Sequence, residues 1–216
     1  MTQTELDAAY NQSVYAPNLE QVLARQAANN AIAREQLGDP RRYAYDDHPT
    51  EGLDLYPTAA PNAPIHLFIH GGTWRFGKAK NNACAAESFV HADAHFVVPD
   101  FSSVSEFDGD LMPLVDQLRR AVAWVHAHAR ESFGGDPDRI YLSGFSSGGH
   151  LAAALLTTDW SKTVNLPSAL VVRPRIQSLR THRNPRLPPR PHWPRRPLPN
   201  HSHPLSPHLN LLQFNN

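Results

Sequence analysis

Cysteine is almost absent from this 216-residue chain: Cys84 stands alone, so no internal disulfide can form and no zinc site can be built on thiolates. Its neighbours Ala83, Ala85 and Ala86 place it on a helix, where it reads as a small buried packing residue. Long apolar runs are missing too. No stretch of about 18 apolar residues occurs that could cross a bilayer as a helix. The opening residues, Met1-Thr2-Gln3-Thr4-Glu5-Leu6-Asp7, hold neither the basic nor the apolar region of a secretory leader. A cytoplasmic protein is the resulting expectation. Net charge is also lacking: 20 Lys and Arg face 20 Asp and Glu, which offers no global electrostatic reason to expect nucleic acid or a membrane surface as partner.

That zero conceals two unlike stretches. Residues 1–172 hold 12 Lys and Arg and all 20 acids, a formal charge of −8, whereas residues 173–216 hold eight Arg and no acid. From Arg173 onward Gly, Ala and Val vanish as well, ten of the chain's 20 prolines appear, and neither the strand nor the helix period survives. Such a tail reads as a disordered linker or a basic partner-binding arm. Because the change falls in mid-strand, just after Val171 and Val172, a shifted reading frame or a truncation near residue 172 is the favoured expectation. One domain over residues 1–172 follows from length and pattern, with a helical segment at 5–37, a core at 42–172 and a Pro/Arg-rich tail at 173–216.

Within the domain, residues 5–37 read as helical, with Leu19, Val22, Leu23 and Ala27 on one face and a stop at Leu37-Gly38-Asp39-Pro40. Short strands at 42–45 and 52–56 precede a turn-rich run at 57–64. Three apolar runs follow, at 65–69, 95–99 and 139–143, and the spacers between them are long enough for helices at 82–91 and 111–132. Leu114, Leu118, Val122 and Val125 fall on one face of the second spacer, and residues 134–138, Gly-Gly-Asp-Pro-Asp, read as the turn before the last run. Strand and helix alternating at this spacing predict a mostly parallel sheet flanked by helices, an α/β fold. A further strand is expected to begin at 168–172.

Two motifs sit at the C-terminal ends of predicted strands. Gly144-Phe145-Ser146-Ser147-Gly148 runs directly into the helical stretch from His150 to Leu156, so Ser146 occupies a strand-to-helix turn. Gly144 and Gly148 are read as glycines because a Cβ at either place would collide with a neighbouring strand or helix. The turn exposes the serine Oγ at a helix N-terminus, where backbone N–H groups and the helix dipole favour the negative charge that develops during attack on a carbonyl. His70-Gly71-Gly72-Thr73-Trp74 follows the run ending at Ile69, and its small residues let the backbone approach a substrate oxygen. Ser146 is the candidate nucleophile, and the N–H groups of Gly71, Gly72 and Ser147 are the candidate oxyanion donors. His70 reads as a buttress of its loop; Thr73 completes the motif; Trp74 is either core packing or a wall of the acyl pocket.

These residues resemble the α/β-hydrolase superfamily, and His70-Gly71-Gly72-Thr73-Trp74 is similar to the HGGxW motif of the kynurenine formamidase (arylformamidase) and related esterase branch. The stretch from Ala121 to His126, leading to Phe133-Gly134-Gly135-Asp136-Pro137-Asp138-Arg139-Ile140, is similar to the segment before the serine in carboxylesterases of this branch. The opening Glu5-Leu6-Asp7-Ala8-Ala9-Tyr10-Asn11 resembles bacterial formamidase-like hydrolases. The resemblance covers residues 5–172 and implies an α/β-hydrolase fold, incomplete at its C-terminal end. It implies a triad in the order serine, acid, histidine, the last two on loops after later strands, beyond residue 172. No acid is present there. His182, His192, His201, His203 and His208 lie among Pro and Arg with nothing to position them, so the catalytic acid and histidine stay unassigned. Asp100 and His150 are earlier substitutes to weigh: Asp100 reads as a strand-end residue that caps or pairs locally, and His150, on the helix after the serine, is badly placed to face Oγ.

Three functions remain open on these residues. The first is hydrolysis of an ester or small amide through an acyl-enzyme on Ser146, with N-formylkynurenine, cleaved to kynurenine and formate, as the substrate the resemblance implies. The second is carboxylesterase action on short acyl esters. The third is a non-catalytic binding protein with a hydrolase-like pocket and a basic tail. None of them calls for a cofactor or a metal, and the expected partner is a small-molecule ester or amide, with the oligomeric state unassigned. With its acid and base missing, the chain is expected to turn over little or no substrate.

Overall fold

A computed structural model describes residues 2–160 of the chain. The strand expected at 168–172 and the tail at 173–216 lie outside the described residues. Five strands form one sheet: β1 (Arg41–Ala44), β2 (Gly52–Tyr56), β3 (Ala63–Ile69), β4 (His95–Pro99) and β5 (Gly135–Gly144). Their spatial order is β1-β2-β4-β3-β5. The β1/β2 and β2/β4 pairs are antiparallel, while β4/β3 and β3/β5 are parallel, so β2 alone runs against the other four. A mostly parallel sheet is the result. Its parallel strands are joined by helices, α3 (Ala83–Val90) between β3 and β4 and α4 (Met112–His128) between β4 and β5; α5 (Ser147–Leu156) follows β5.

The central strands are apolar on both faces because both are covered. On one face Leu53, Leu55, Ile65, Leu67, Ile69 and Val97 meet α4 and α5. On the other, Tyr56, Phe96 and Val98 meet Ala83 and Ala86 of α3 and Ala33 of α2 (Leu19–Leu37). The period-2 alternation of each strand thus sorts its side chains between two cores. In α4, Pro113 stands in the first turn, where its missing N–H costs nothing, and Leu114, Leu118, Val122 and Val125 are all fully buried. The helix leaves through a π-type turn at Ala129–Phe133 and stops at Gly134, which takes a left-handed conformation.

Two expectations need adjustment. The helical segment at 5–37 is broken into α1 (Gln3–Tyr10), a 3-10 turn at Gln12–Tyr15 and α2, and Pro17, which cannot extend a helix from within, lies in the gap. Leu19, Leu23, Gln26, Asn30, Ala33 and Leu37 then form one stripe along α2, but only its C-terminal half packs. Asn30 and Ala33 are buried, while Leu19, Val22, Leu23 and Ala27 are exposed. Asn30 secures the packed half: its Nδ2 donates to Asn81 O (2.7 Å) and its Oδ1 accepts from Cys84 N (2.9 Å). Cys84 is half-buried. The second adjustment is at β5, which starts at Gly135, inside the predicted turn. Gly135 pairs with Ala63, and the ladder then slips before resuming at Ile140 opposite Ile65, so Asp136-Pro137-Asp138 are accommodated as an irregularity within the strand.

Packing and burial make two measurable demands. Leu118→Ala should lower stability by about 2–5 kcal/mol, while Leu23→Ala on the overhanging half of α2 should change it by no more than about 0.5 kcal/mol; urea-denaturation midpoints of the two variants check the contrast. His66 lies in β3 with its ring stacked on Phe89 and Phe96, and burial lowers its pKa from 6.5 to about 4. As pH falls below 6.5 the unfolded chain gains a proton that the folded chain refuses until about pH 4, so stability complete above 6.5 is lost on the way down. The full loss is on the order of 3 kcal/mol. Denaturation at pH 7 and pH 5 should show a larger drop for the wild type than for His66→Gln.

Candidate active site

β5 ends at Gly144 and α5 begins at Ser147, leaving Phe145 and Ser146 to turn the chain. Ser146 adopts φ 53°, ψ −122°, a conformation that costs a non-glycine residue energy and that surrounding structure must enforce. The enforcement is steric. A Cβ at Gly148 would lie on the carbonyl oxygens of Ile69 and His70, and a Cβ at Gly144 would lie on the carbonyl of Gly148. The first turn of α5 is therefore pressed against the end of β3. Ser146 is left exposed at the helix N-terminus, and its Oγ is hydrogen-bonded to no other described residue.

The neighbouring strand end brings the second motif to the same place. Phe145 N–H donates to Ile69 O (3.1 Å), carrying the β3/β5 ladder one residue past the strand ends. Gly71 follows, so close that an added Cβ would stand 2.8 Å from Phe145 O and 3.3 Å from Ser146 Cβ. Gly72 has φ 124°, and Thr73 and Trp74 follow at 54° and 60°, two consecutive side-chain-bearing residues in the left-handed region. The loop is held there from both sides. Gly72 O accepts from Arg75 N (3.0 Å) and Phe76 N (2.8 Å), and Trp74 O accepts from Val104 N (2.8 Å). Trp74 N–H donates to Ser147 Oγ (3.3 Å), a direct link between the two motifs. The N–H groups of Gly71, Gly72 and Ser147 are taken by no acceptor among the described residues.

Beneath the loop lies a buried polar network. His70 is 3% exposed, stacks on Phe101 with ring centroids 4.4 Å apart, and places Nδ1 3.0 Å from Gly71 O, which puts its proton on Nδ1. Burial lowers its pKa, an effect only partly offset by the Gly71 carbonyl and the charge of Asp100, so the ring is neutral at pH 7. Asp100 is bound through Oδ2 by Arg42 (2.7 Å) and through Oδ1 by Ala79 N–H (2.6 Å); Arg42 also binds Asp54 (2.8 Å), and Tyr45 OH donates to Asp100 O (2.6 Å). The Asp100 carboxylate is thus engaged below the loop, 3.8 Å from His70 Nε2 and bonded to no group on Ser146. His150 is exposed on α5 and meets the edge of Trp74 at 5.7 Å. Trp74 itself is half-buried against the main core.

Arg42, Asp54 and Tyr45 were not singled out in the sequence, although Asp54, between Leu53 and Leu55 in a buried strand, is a signal that a cation must stand nearby. The Ser147 hydroxyl had no such signal. Two cavities flank the loop. One, of about 390 Å³, lies between Gly71, Phe145 and α2; the other, of about 290 Å³, lies on the Trp74 and Phe101 side. Among the described residues no group of three or more His, Cys, Asp or Glu side chains could hold a metal ion, and no helix is long and apolar enough to cross a membrane.

The same crowding gives a test of the elbow. Gly148→Ala should destabilise the protein by about 1–3 kcal/mol, because carbonyl oxygens cannot move aside. Gly149→Ala, whose nearest neighbour, Gly144 O, would be 3.3 Å away, should cost less; thermal midpoints of the two variants decide it.

Comparison with known proteins agrees with this architecture. The BD-FAE family model matches residues 53–171, more than half of the chain. The kynurenine formamidase of Danio rerio is 30% identical over 170 residues, 75% of this chain and 56% of that protein. The isoprenylcysteine alpha-carbonyl methylesterase of Arabidopsis thaliana is 29% identical over 124 residues, 56% of this chain and 28% of that protein. Among solved structures, Thermogutta terrifontis esterase 2 phosphonylated by sarin aligns with a TM-score of 0.50 at 27% identity, covering 55% of this chain and 45% of that one. The chain therefore spans between about a quarter and just over half the length of these relatives. On the family match, and with a mostly parallel sheet between helices, the chain belongs to the BD-FAE family and has an α/β-hydrolase-type fold.

Proposed function

We propose that the protein is a serine hydrolase of the esterase or amidase type, with Ser146 as nucleophile. The observation that carries the reading is the contact of Gly71 with Ser146: an exposed serine in an enforced, strained turn stands against a glycine loop with free N–H groups. Ser146 Oγ attacks the carbonyl carbon of a small ester or amide and gives up its proton to a base. The oxygen of the tetrahedral intermediate takes hydrogen bonds from the N–H groups of Gly71, Gly72 and Ser147. Collapse expels the alcohol or amine, which takes back the proton from that base, and leaves an acyl group on Ser146, which water then releases as the acid. Similarity to kynurenine formamidases supports N-formylkynurenine as substrate, with kynurenine and formate as products; similarity to methylesterases and an esterase supports short acyl esters as the alternative.

A second reading is favoured by one observation. Among the described residues no imidazole and no carboxylate is hydrogen-bonded to Ser146, and no Asp or Glu follows Asp159 in the sequence. Without an oriented base, oxyanion donors and binding alone leave roughly 10³–10⁴-fold over water. We therefore expect this chain to be a slow hydrolase or a binding protein with a hydrolase site. Turnover of a short p-nitrophenyl ester should be weak and should fall to the background rate in Ser146→Ala. A rate unchanged by that substitution contradicts the nucleophile; a fast, Ser146-dependent rate contradicts the impairment.

A further inference from the structure

The cavity of about 290 Å³ on the Trp74 and Phe101 side of the loop is lined by none of Ser146, Gly71, Gly72 and Phe145, so it stands apart from the candidate active site. One wall is the segment from Trp74 to Lys78, which continues the glycine loop; the N–H groups of its Arg75 and Phe76 hold Gly72 O (3.0 and 2.8 Å). The backbone of this wall is fixed. Gly77 has φ 100°, and a Cβ there would lie on Gly71 O and the His70 ring. Lys78 O accepts from Asn81 N (3.0 Å) and Asn82 Nδ2 (2.9 Å), and Ala79 N–H is bound by Asp100 (2.6 Å).

The same wall is basic in an acidic domain. No Asp or Glu occurs between Asp54 and Glu87, a span that holds Arg75, Lys78 and Lys80. Arg75 and Lys78 line the cavity, are exposed, and form no ion pair or side-chain hydrogen bond among the described residues, whereas Arg42, Arg119 and Arg120 are all paired. The N–H groups of Gly77 and Lys78 are taken by no acceptor among the described residues, and the Asn81 side-chain amide is equally unengaged. The one acid of the lining, Glu106, is bonded to Ser103 N–H (2.7 Å). Two cations beside two consecutive unused N–H groups form the donor set of an oxyanion. The cavity is larger than one such group, and Trp74 and Phe76 face the remainder with aromatic surface.

We propose that this cavity binds a small phosphate monoester, the phosphate on Arg75, Lys78 and the N–H groups of Gly77 and Lys78, and the carbon group against Trp74 and Phe76. A phosphate monoester carries close to two negative charges above neutral pH, which match the two cations; a sulfate ester or a carboxylate carries one. The site does not depend on the hydrolase reading, because its ligand meets neither Ser146 nor the oxyanion donors.

Calorimetric titration of the full chain with phenyl phosphate, phenyl sulfate and inorganic phosphate tests the assignment. The wild type should bind phenyl phosphate about fivefold more tightly than phenyl sulfate, the size of one further exposed ion pair, and more tightly than inorganic phosphate. Arg75→Gln and Lys78→Gln should each weaken phenyl phosphate about tenfold, as loss of a charge-assisted hydrogen bond does. Arg25→Gln, which removes an unpaired arginine outside the cavity, should leave it unchanged. All three positions are exposed, so none of the changes threatens the core. No binding by the wild type, full affinity in either cavity variant, an equal loss in Arg25→Gln, or phenyl sulfate bound as tightly as phenyl phosphate overturns the proposal. Inorganic phosphate bound as tightly as the monoester overturns the monoester and assigns the site to the free ion.

Discussion

The space a Cβ would need at residue 148 is filled by the carbonyls of Ile69 and His70, and most of the site follows from that contact. It lets the first turn of α5 rest on the end of β3, which sets the tight turn between β5 and α5 and drives Ser146 to a positive φ. At the same strand end Gly71 stands against Phe145 and Ser146. A single methyl group at Gly144 or Gly148 would push strand and helix apart. The glycines therefore store no freedom here; they permit a close approach that side chains forbid.

That approach is stabilised from below by charge. Arg42 in β1 binds Asp54 in β2 and Asp100 after β4, and the same Asp100 carboxylate accepts from Ala79 N–H, where the loop carrying Gly71 and Gly72 rejoins the fold. The antiparallel edge of the sheet is thus wired to the floor of the glycine loop. The two acids are buried and share Arg42, whose side chain reaches them from a position that stays 45% exposed; removing Arg42 alone would leave two carboxylates without their counter-ion. Neutral His70 fills the remaining gap, flat against Phe101 and hydrogen-bonded to the loop it supports.

Much of the architecture was legible because it is written in local periods. Strands β2, β3 and β4 alternate or run apolar between turn residues, and the buried face of α4 repeats at helical spacing, so their ranges were close to the observed ones. Both glycine motifs were visible because a run of small residues at a strand end has few other uses. The rest depends on partners distant in sequence. Gly135 joins β5 only because Ala63 offers it a ladder position, against the turn chemistry of Gly-Gly-Asp-Pro. The face with Leu19, Val22, Leu23 and Ala27 was legible as helical, but not that packing begins only at Asn30, where α3 lies beneath α2. Likewise Ser147 was read for its N–H, while its hydroxyl proves to hold Trp74 N–H across 73 positions of sequence.

The central claim is that two strand ends deliver a nucleophile and its oxyanion donors to one point. A crystal structure of the full chain soaked with phenylboronic acid examines that point directly, because a boronate on serine has the tetrahedral shape of the intermediate. The expected result is boron bonded to Ser146 Oγ, with one boronate oxygen within hydrogen-bond distance of the N–H groups of Gly71, Gly72 and Ser147. A boronate bound to another residue, or one on Ser146 with its oxygens turned away from those N–H groups, would contradict it.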